Sequence, residues 1–277
     1  MMMRAIAGLM VASLALAPAM AADEAKPANA GNETKPAISI KTKTVEITVT
    51  INNELKPFPA LVANSLAEGK RFVAESRAEA AGAGKDDRRY TYDRVYEFRS
   101  VVGGRYVGVV RSDSTYTGGA HPNQLIDTIL WDNDAKKRIS VRPFFSETAD
   151  NGPTMTALAK FVRLVVAAAK RDRFKEAEAE ENKGKPPEPA APAEPDELLI
   201  GRVLPALTKI GPLSFAPSTI ADKSSGLTVH YSPYDVDAYA AGPYSVFVPW
   251  TEFRQYLSPL GVSIFGGERP KADADEN

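Results

Sequence analysis

The sequence predicts an α+β fold built around an antiparallel meander. Three observations carry this. Runs of alternating apolar and polar residues mark strands in the middle of the chain. Two longer segments repeat their apolar residues every three or four positions, the helical period. The connections between the central strands are shorter than the dozen or so residues that a parallel crossover needs.

In chain order, the first segment has the form of an export signal. Arg4 is its positive end, Ala5 to Ala17 is apolar but short, Pro18 breaks the run, and Ala19-Met20-Ala21 has the A-x-A cleavage form. Residues 1–21 are therefore expected to be a signal peptide. Residues 22–37 lack apolar periodicity and read as a flexible leader. The apolar run falls short of the roughly 20 residues of a membrane-spanning helix, and no later segment approaches one. The expectation is an exported protein, periplasmic or secreted, with no transmembrane anchor after cleavage.

A single ordered domain is expected over 38–262. Val45, Ile47, Val49 and Ile51 alternate with polar residues as in a half-buried strand. Pro59 to Ala81 reads as a helix with a stripe of Leu61, Val62, Leu66, Phe72 and Val73, ended by Gly82, Gly84 and the charged run from Lys85. Tyr90, Tyr92, Tyr96 and Phe98 share one strand face, interrupted by Arg94. Such a row could stack bases or sugars, but strand tyrosines more often pack on their neighbours. Gly103-Gly104 is a hairpin turn into a strand that runs to about Tyr116. Another strand covers Leu125 to Trp131, and Asp132-Asn133-Asp134 turns the chain toward Ile139 and Val141.

Phe144-Phe145-Ser146 leads into a second helix with a stripe of Met155, Leu158, Val162, Val165 and Ala169. Its continuation, Lys170 to Arg173 and Glu176 to Glu181, reads as a solvated charged extension. The proline-rich stretch 182–195 reads as a disordered insertion, since long surface insertions cost little free energy. Short strands follow at Leu213 to Phe215, Leu227 to Tyr231 and Tyr244 to Val248. Trp250, Phe253, Leu257 and Leu260 suit a short helix, and 263–277 reads as a disordered tail.

Composition narrows the function. The chain carries 34 Lys+Arg against 35 Asp+Glu, a net charge of -1, which offers nothing to a nucleic acid. With no cysteine, disulfides, thiol nucleophiles and thiolate metal sites are excluded. Two histidines alone do not make a zinc site of the usual kind. No cofactor or metal is expected. No nucleophile elbow, H-E-x-x-H helix or phosphate loop is present.

Two loops stand out. Tyr116-Thr117-Gly118-Gly119-Ala120-His121-Pro122 joins two good strands; its glycines allow backbone angles closed to other residues, and Pro122 fixes the next φ. Ser232-Pro233-Tyr234 is a turn signal, and Tyr234 and Tyr239 offer the large amphipathic surfaces enriched at binding hot spots. Beside this stands the plainer reading, in which His121 shapes a hairpin loop, His230 is structural and the tyrosines cap the core.

These segments resemble a known extracytoplasmic family. The Thr117–Pro122 loop, Arg138-Ile139-Ser140-Val141-Arg142-Pro143-Phe144-Phe145, and Gly226 through Tyr231 into Ser232-Pro233-Tyr234-Asp235-Val236 are similar, in this order, to the RsiV/PdaC type of domain: the sensor domain of an anti-sigma factor and the accessory domain of a peptidoglycan deacetylase. The resemblance covers most of 38–262. It implies an antiparallel or mixed sheet with helices packed mainly on one face, and work at the cell envelope. It also implies a protein partner of lysozyme type or a peptidoglycan fragment. The deacetylase metal-binding motif is missing. The expected function is therefore a non-catalytic binding module, with Gly118, Gly119, His121, Pro122, Pro233, Tyr234 and Tyr239 as binding residues. The alternative is a cell-wall-modifying hydrolase or deacetylase-associated enzyme using His121.

Overall fold

The computed structural model describes residues 34–82, 89–181, 183 and 197–275. The expected signal peptide, the leader up to residue 33 and the 182–195 insertion other than Lys183 lie outside them. The described elements are β1 (Ile38–Lys41), β2 (Val45–Ile51), α1 (Pro59–Gly82), β3 (Tyr90–Val102), β4 (Tyr106–Tyr116), β5 (Asn123–Asp132) and β6 (Lys137–Ile139). There follow α2 (Pro153–Glu181), α3 (Glu197–Ile200), β7 (Leu213–Ala216), β8 (Gly226–Tyr231), β9 (Tyr244–Pro249), α4 (Pro259–Ile264) and α5 (Lys271–Asp275).

Among the described residues the strands form two sheets, one in the order β1-β2-β3-β4-β5-β6 and one in the order β7-β8-β9. The α+β class holds, and the large sheet is mixed: β2 and β3 are parallel, and the other neighbours are antiparallel. The reason is the connection. Helix α1 is the crossover that parallel strands require, whereas β3 to β6 are joined by tight turns. At the β3–β4 turn, Gly103 and Gly104 both take positive φ, 59° and 62°, as a type I′ hairpin demands.

Helix α1 covers one face of the large sheet. Leu61, Phe72 and Val73 share a core with Val45, Ile47 and Val49, Tyr92 and Tyr96, Val107 and Val109, and Ile129 and Trp131. Each such fully buried side chain contributes roughly 1.5–3 kcal/mol. The helix approaches more closely than its large apolar residues suggest. Its buried side carries Ser65, Gly69 and Ser76, while Leu66 is only half-buried. A Cβ on Gly69 would fall 2.7 Å from Val49 Cγ1. The tyrosine row is packed rather than displayed: Tyr92 and Tyr96 are buried. Arg94 lies buried in the same row, its Nε and Nη2 each 2.6 Å from a carboxylate oxygen of Asp113.

The alternate residues of β4 and β5, Tyr106 and Leu130, belong to a second core on the opposite face. There Phe144 meets Tyr106 and Phe215 edge-on at 5.0 and 5.2 Å, and Ser100 Oγ donates to the Phe215 carbonyl at 2.7 Å. Helix α2 closes this core: Met155, Leu158, Val162 and Val166 pack with Val246 and Val248 of β9. Each sheet thus carries its long helix on one face. Helix α1 lies on the large sheet and α2 on the small one, because each sheet has its own apolar face to bury.

Two further expectations change. Trp250 to Leu260 is not one helix but two 3-10 turns, Trp250–Glu252 and Arg254–Tyr256, followed by α4, which Ser258 caps by accepting from Gly261 N. Residues 263–275 are not a disordered tail. Ile264 and Phe265 are buried, Phe265 lying 5.0 Å from the Phe253 ring, and Trp250 Nε1 donates to Gly267 O at 3.1 Å. Burying two large side chains is enough to hold a short polar segment against the core.

Candidate functional site

The connection from β4 to β5 and the turn after β8 meet. Ser232 Oγ accepts from Ile126 N at 2.9 Å, so the start of the turn is pinned to β5. The Tyr239 hydroxyl donates to the Pro122 carbonyl at 2.6 Å, across 117 residues of sequence. Three rings gather there. His121 stacks on Tyr239 with centroids 3.6 Å apart and planes 20° from parallel. Tyr234 leans over both, 5.5 Å from Tyr239 and 6.3 Å from His121.

The turn that presents Tyr234 is unusual. Asp235 N donates to Ser232 O at 3.1 Å, and Ser232 N donates to Asp235 Oδ2 at 2.7 Å. Proline at the second position and positive φ at the third are the pattern of a type II turn, which favours glycine or asparagine at the third. Here the third residue is Tyr234, with φ 73°. A side chain in this region costs about 1–2 kcal/mol. The ring is not repaid by burial, since Tyr234 remains 52% exposed.

Helix α2 supplies the support. Lys170, itself buried, donates from Nζ to the Val236 carbonyl at 2.8 Å and sits 3.6 Å from Asp237 Oδ1. Asp237 Oδ2 accepts from the Tyr244 hydroxyl at 2.5 Å. Burial first, and then that carboxylate, push the Tyr244 phenol up to about 12. Arg173 donates to the Ala241 and Pro243 carbonyls at 2.5 and 2.8 Å, with its guanidinium 3.8 Å from the Tyr244 ring centroid. Arg202 Nη1 donates to the Tyr234 carbonyl at 2.9 Å. The loop is thus gripped through its backbone on one side while its rings face outward on the other.

Of the residues expected from the sequence, His121, Pro122, Tyr234 and Tyr239 come together, and Pro233 is buried. Gly118, at φ 92°, sets the path of the loop. Gly119 has open space, a Cβ there meeting only the His121 carbonyl at 3.8 Å. Ser232 and Asp237 are read from the sequence only as parts of the second loop, and Lys170 and Arg173 were missed. A signal existed: 166, 170 and 173 continue the buried stripe of α2 at helical spacing, so the first cations of the charged run share the face of Val166.

His230 lies elsewhere, inside the small sheet. Its Nε2 is 2.9 Å from Ser214 Oγ and its Nδ1 3.0 Å from Ser245 Oγ. Burial and then the charge of Arg99 lower its pKa to about 4. The imidazole is a neutral structural group. His121 Nδ1 lies 3.0 Å from the Pro122 carbonyl. Among the described residues no cluster of three or more His, Asp or Glu side chains is placed to hold a metal, and no helix is long and apolar enough to cross a membrane.

Residues 149–251 match the family model described as "Protein of unknown function (DUF3298)". That stretch takes in α2, the small sheet and the Tyr234 turn, and it begins after the loop that carries His121. Two solved structures of DUF3298 family proteins are similar. One, from Bacteroides fragilis, is 14% identical, with a TM-score of 0.49 over 81% of this chain and 93% of the other. The second, from Pseudomonas aeruginosa, is 16% identical, with a TM-score of 0.47 over 81% of this chain and 88% of the other. No curated protein matches the chain.

Proposed function

We propose that the chain is an exported, non-catalytic binding module of the RsiV/PdaC type that works in the cell envelope. Its contact surface is the patch of His121, Tyr234 and Tyr239, and its partner is a lysozyme-like hydrolase or a peptidoglycan-derived glycan. One observation carries the reading: an exposed tyrosine held at φ 73° over two further rings. Strain of this kind persists only where the surroundings over-determine it, and it collects at functional sites. Rings fixed in advance lose little freedom on binding, which is what makes aromatic anchors effective.

The enzyme reading, with His121 as acid or base, asks for a group that orients the imidazole for proton transfer. What touches that ring is the face of Tyr239 and the Pro122 carbonyl, which suits a surface for contact better.

The test is calorimetric titration of the chain from Ala22 to Asn277 with a lysozyme and, in parallel, with soluble peptidoglycan fragments. Saturable binding that Tyr234→Ala weakens at least tenfold, the effect of losing one hot-spot ring, is the expected result. Binding to neither probe, or binding indifferent to Tyr234→Ala, refutes the proposal.

A further inference from the structure

A second polar constellation lies on the small sheet, and it begins with a fault in the large one. The β3–β4 register shifts between Phe98 and Ser100, leaving Arg99 as the extra residue of a β-bulge. Bulges re-aim side chains, and this one turns Arg99 toward β8, where its charge acts on the His230 ring. Thr228 alternates with His230 on that strand face and pairs with Ser214 and Phe247 on the flanking strands. The C-terminal segment lies over the same face. Arg269 sits 5.2 Å from the Phe247 ring centroid, and the Asp273 carboxylate is shared between Arg99 Nη1, at 2.5 Å, and Arg269 Nε.

Arg99 is used differently from the two arginines that hold a carboxylate side-on. Arg94 and Arg105 each hold a carboxylate side-on, through Nε and Nη2 together. Arg99 meets Asp273 through Nη1 alone. Its Nε and Nη2 are buried with no acceptor, and the Thr228 hydroxyl is buried without a partner as well. Thr228 is 1% exposed, and the Arg99 side chain 14%. A fork of two free N–H donors is the geometry that recognises a planar or tetrahedral oxyanion, and Asp273, Arg269 and Phe247 link it to the strand pair that carries the unpartnered Thr228 hydroxyl. Two guanidiniums sharing one carboxylate add the matching charge.

We propose that Arg99 and Thr228 form an oxyanion site for a carboxylate or phosphate group, and that Asp273 of the chain's own C-terminal segment covers it. The ligand's oxyanion takes the Nε/Nη2 edge of Arg99 as Asp273 gives up its hold. The site is separate from the aromatic patch and does not depend on it.

Titrating the full chain with inorganic phosphate and, separately, acetate, against chloride as a control, tests this by calorimetry. The expected result is saturable binding of at least one oxyanion, with the more tightly held one defining the ligand class. Arg99→Lys keeps the charge but loses the fork and should weaken binding about tenfold, the worth of one charge-assisted hydrogen bond. Asp273→Asn removes the competitor and should tighten binding by a similar factor. Should Arg99→Lys fail to fold, Asp273→Asn still decides, because it leaves Arg99 intact. No oxyanion binding to Asp273→Asn, an affinity no tighter there than in the parent, or binding unchanged in a folded Arg99→Lys variant would each overturn the proposal.

Discussion

Replacing Tyr234 by glycine and, separately, by alanine divides the contribution of its backbone from that of its ring. Both variants lose the ring and its contacts with Tyr239 and His121, 5.5 and 6.3 Å away. They differ in what φ 73° costs them and in the chain entropy each loses on folding. Alanine bears about 1–2 kcal/mol for the left-handed conformation. Glycine bears none of it but loses about 0.5–1 kcal/mol more chain entropy on folding. The glycine variant should therefore be the more stable by up to about 1.5 kcal/mol, with about 0.5–1 kcal/mol at the centre of that range. For a chain of this size 1 kcal/mol moves Tm by roughly 2–4 °C, so thermal unfolding followed by circular dichroism should separate the pair by about 1–4 °C. A glycine variant melting at or below the alanine variant would show that the turn is not strained, and the argument from strain to function would fall with it. Calorimetry completes the experiment. Both variants should lose partner binding equally, since neither presents a ring; a glycine variant that still binds would remove Tyr234 from the contact surface.

Three further outcomes follow from the same geometry. Tyr239→Phe deletes the hydroxyl that bonds Pro122 O at 2.6 Å; it should cost about 0.5–1.5 kcal/mol in urea unfolding and weaken partner binding, although the ring stays. Lys170→Met strips the Val236 carbonyl of its donor at 2.8 Å and Asp237 of its counter-ion at 3.6 Å; a loss of about 1–3 kcal/mol, with weaker partner binding measured on the folded variant, is expected, and unchanged binding would mean that α2 does not position the loop. His230 supplies a pH signature. Its folded pKa is lowered to about 4 from 6.5, so between those values the unfolded chain holds a proton that the folded chain does not. Stability should accordingly fall as pH drops from 6.5 towards 4, by at most about 3 kcal/mol from this group. Urea midpoints of His230→Gln should show a flatter profile than the parent across that window, and an equally steep one would assign the slope to other groups.

Periodicity made most of the elements legible, because period-2 and period-3.6 patterns are local properties of the chain. The Gly103-Gly104 turn was legible for a similar reason, its residues being chosen by backbone angles that few others adopt. The helix–sheet contact was read less well. Leu66 looked like core, yet close approach of α1 to β2 required Gly69, and that requirement is set by Val49 on another element. The final segment was misread because Ile264 and Phe265 are only two apolar residues in a polar stretch. Their burial depends on a pocket among Phe215 and Phe253 that does not exist until the small sheet forms.

The candidate site divides along the same line. By itself the sequence determined that two loops carry unusual residues, Gly118 to Pro122 and Pro233 to Tyr239, since glycine, proline, histidine and tyrosine bring their chemistry wherever they stand. Only the tertiary structure decided that His121 stacks on Tyr239, that Tyr234 bears positive φ, and that Lys170 and Arg173 serve as anchors rather than solvated charge. The tertiary structure also decided that Arg99, at a bulge, would meet Asp273. These facts arise from contacts between residues 66 or more apart in sequence, or, like the turn at Tyr234, are held in place by such contacts. Local pattern holds no record of them, because the free energy that selects them is released only when distant surfaces close on one another.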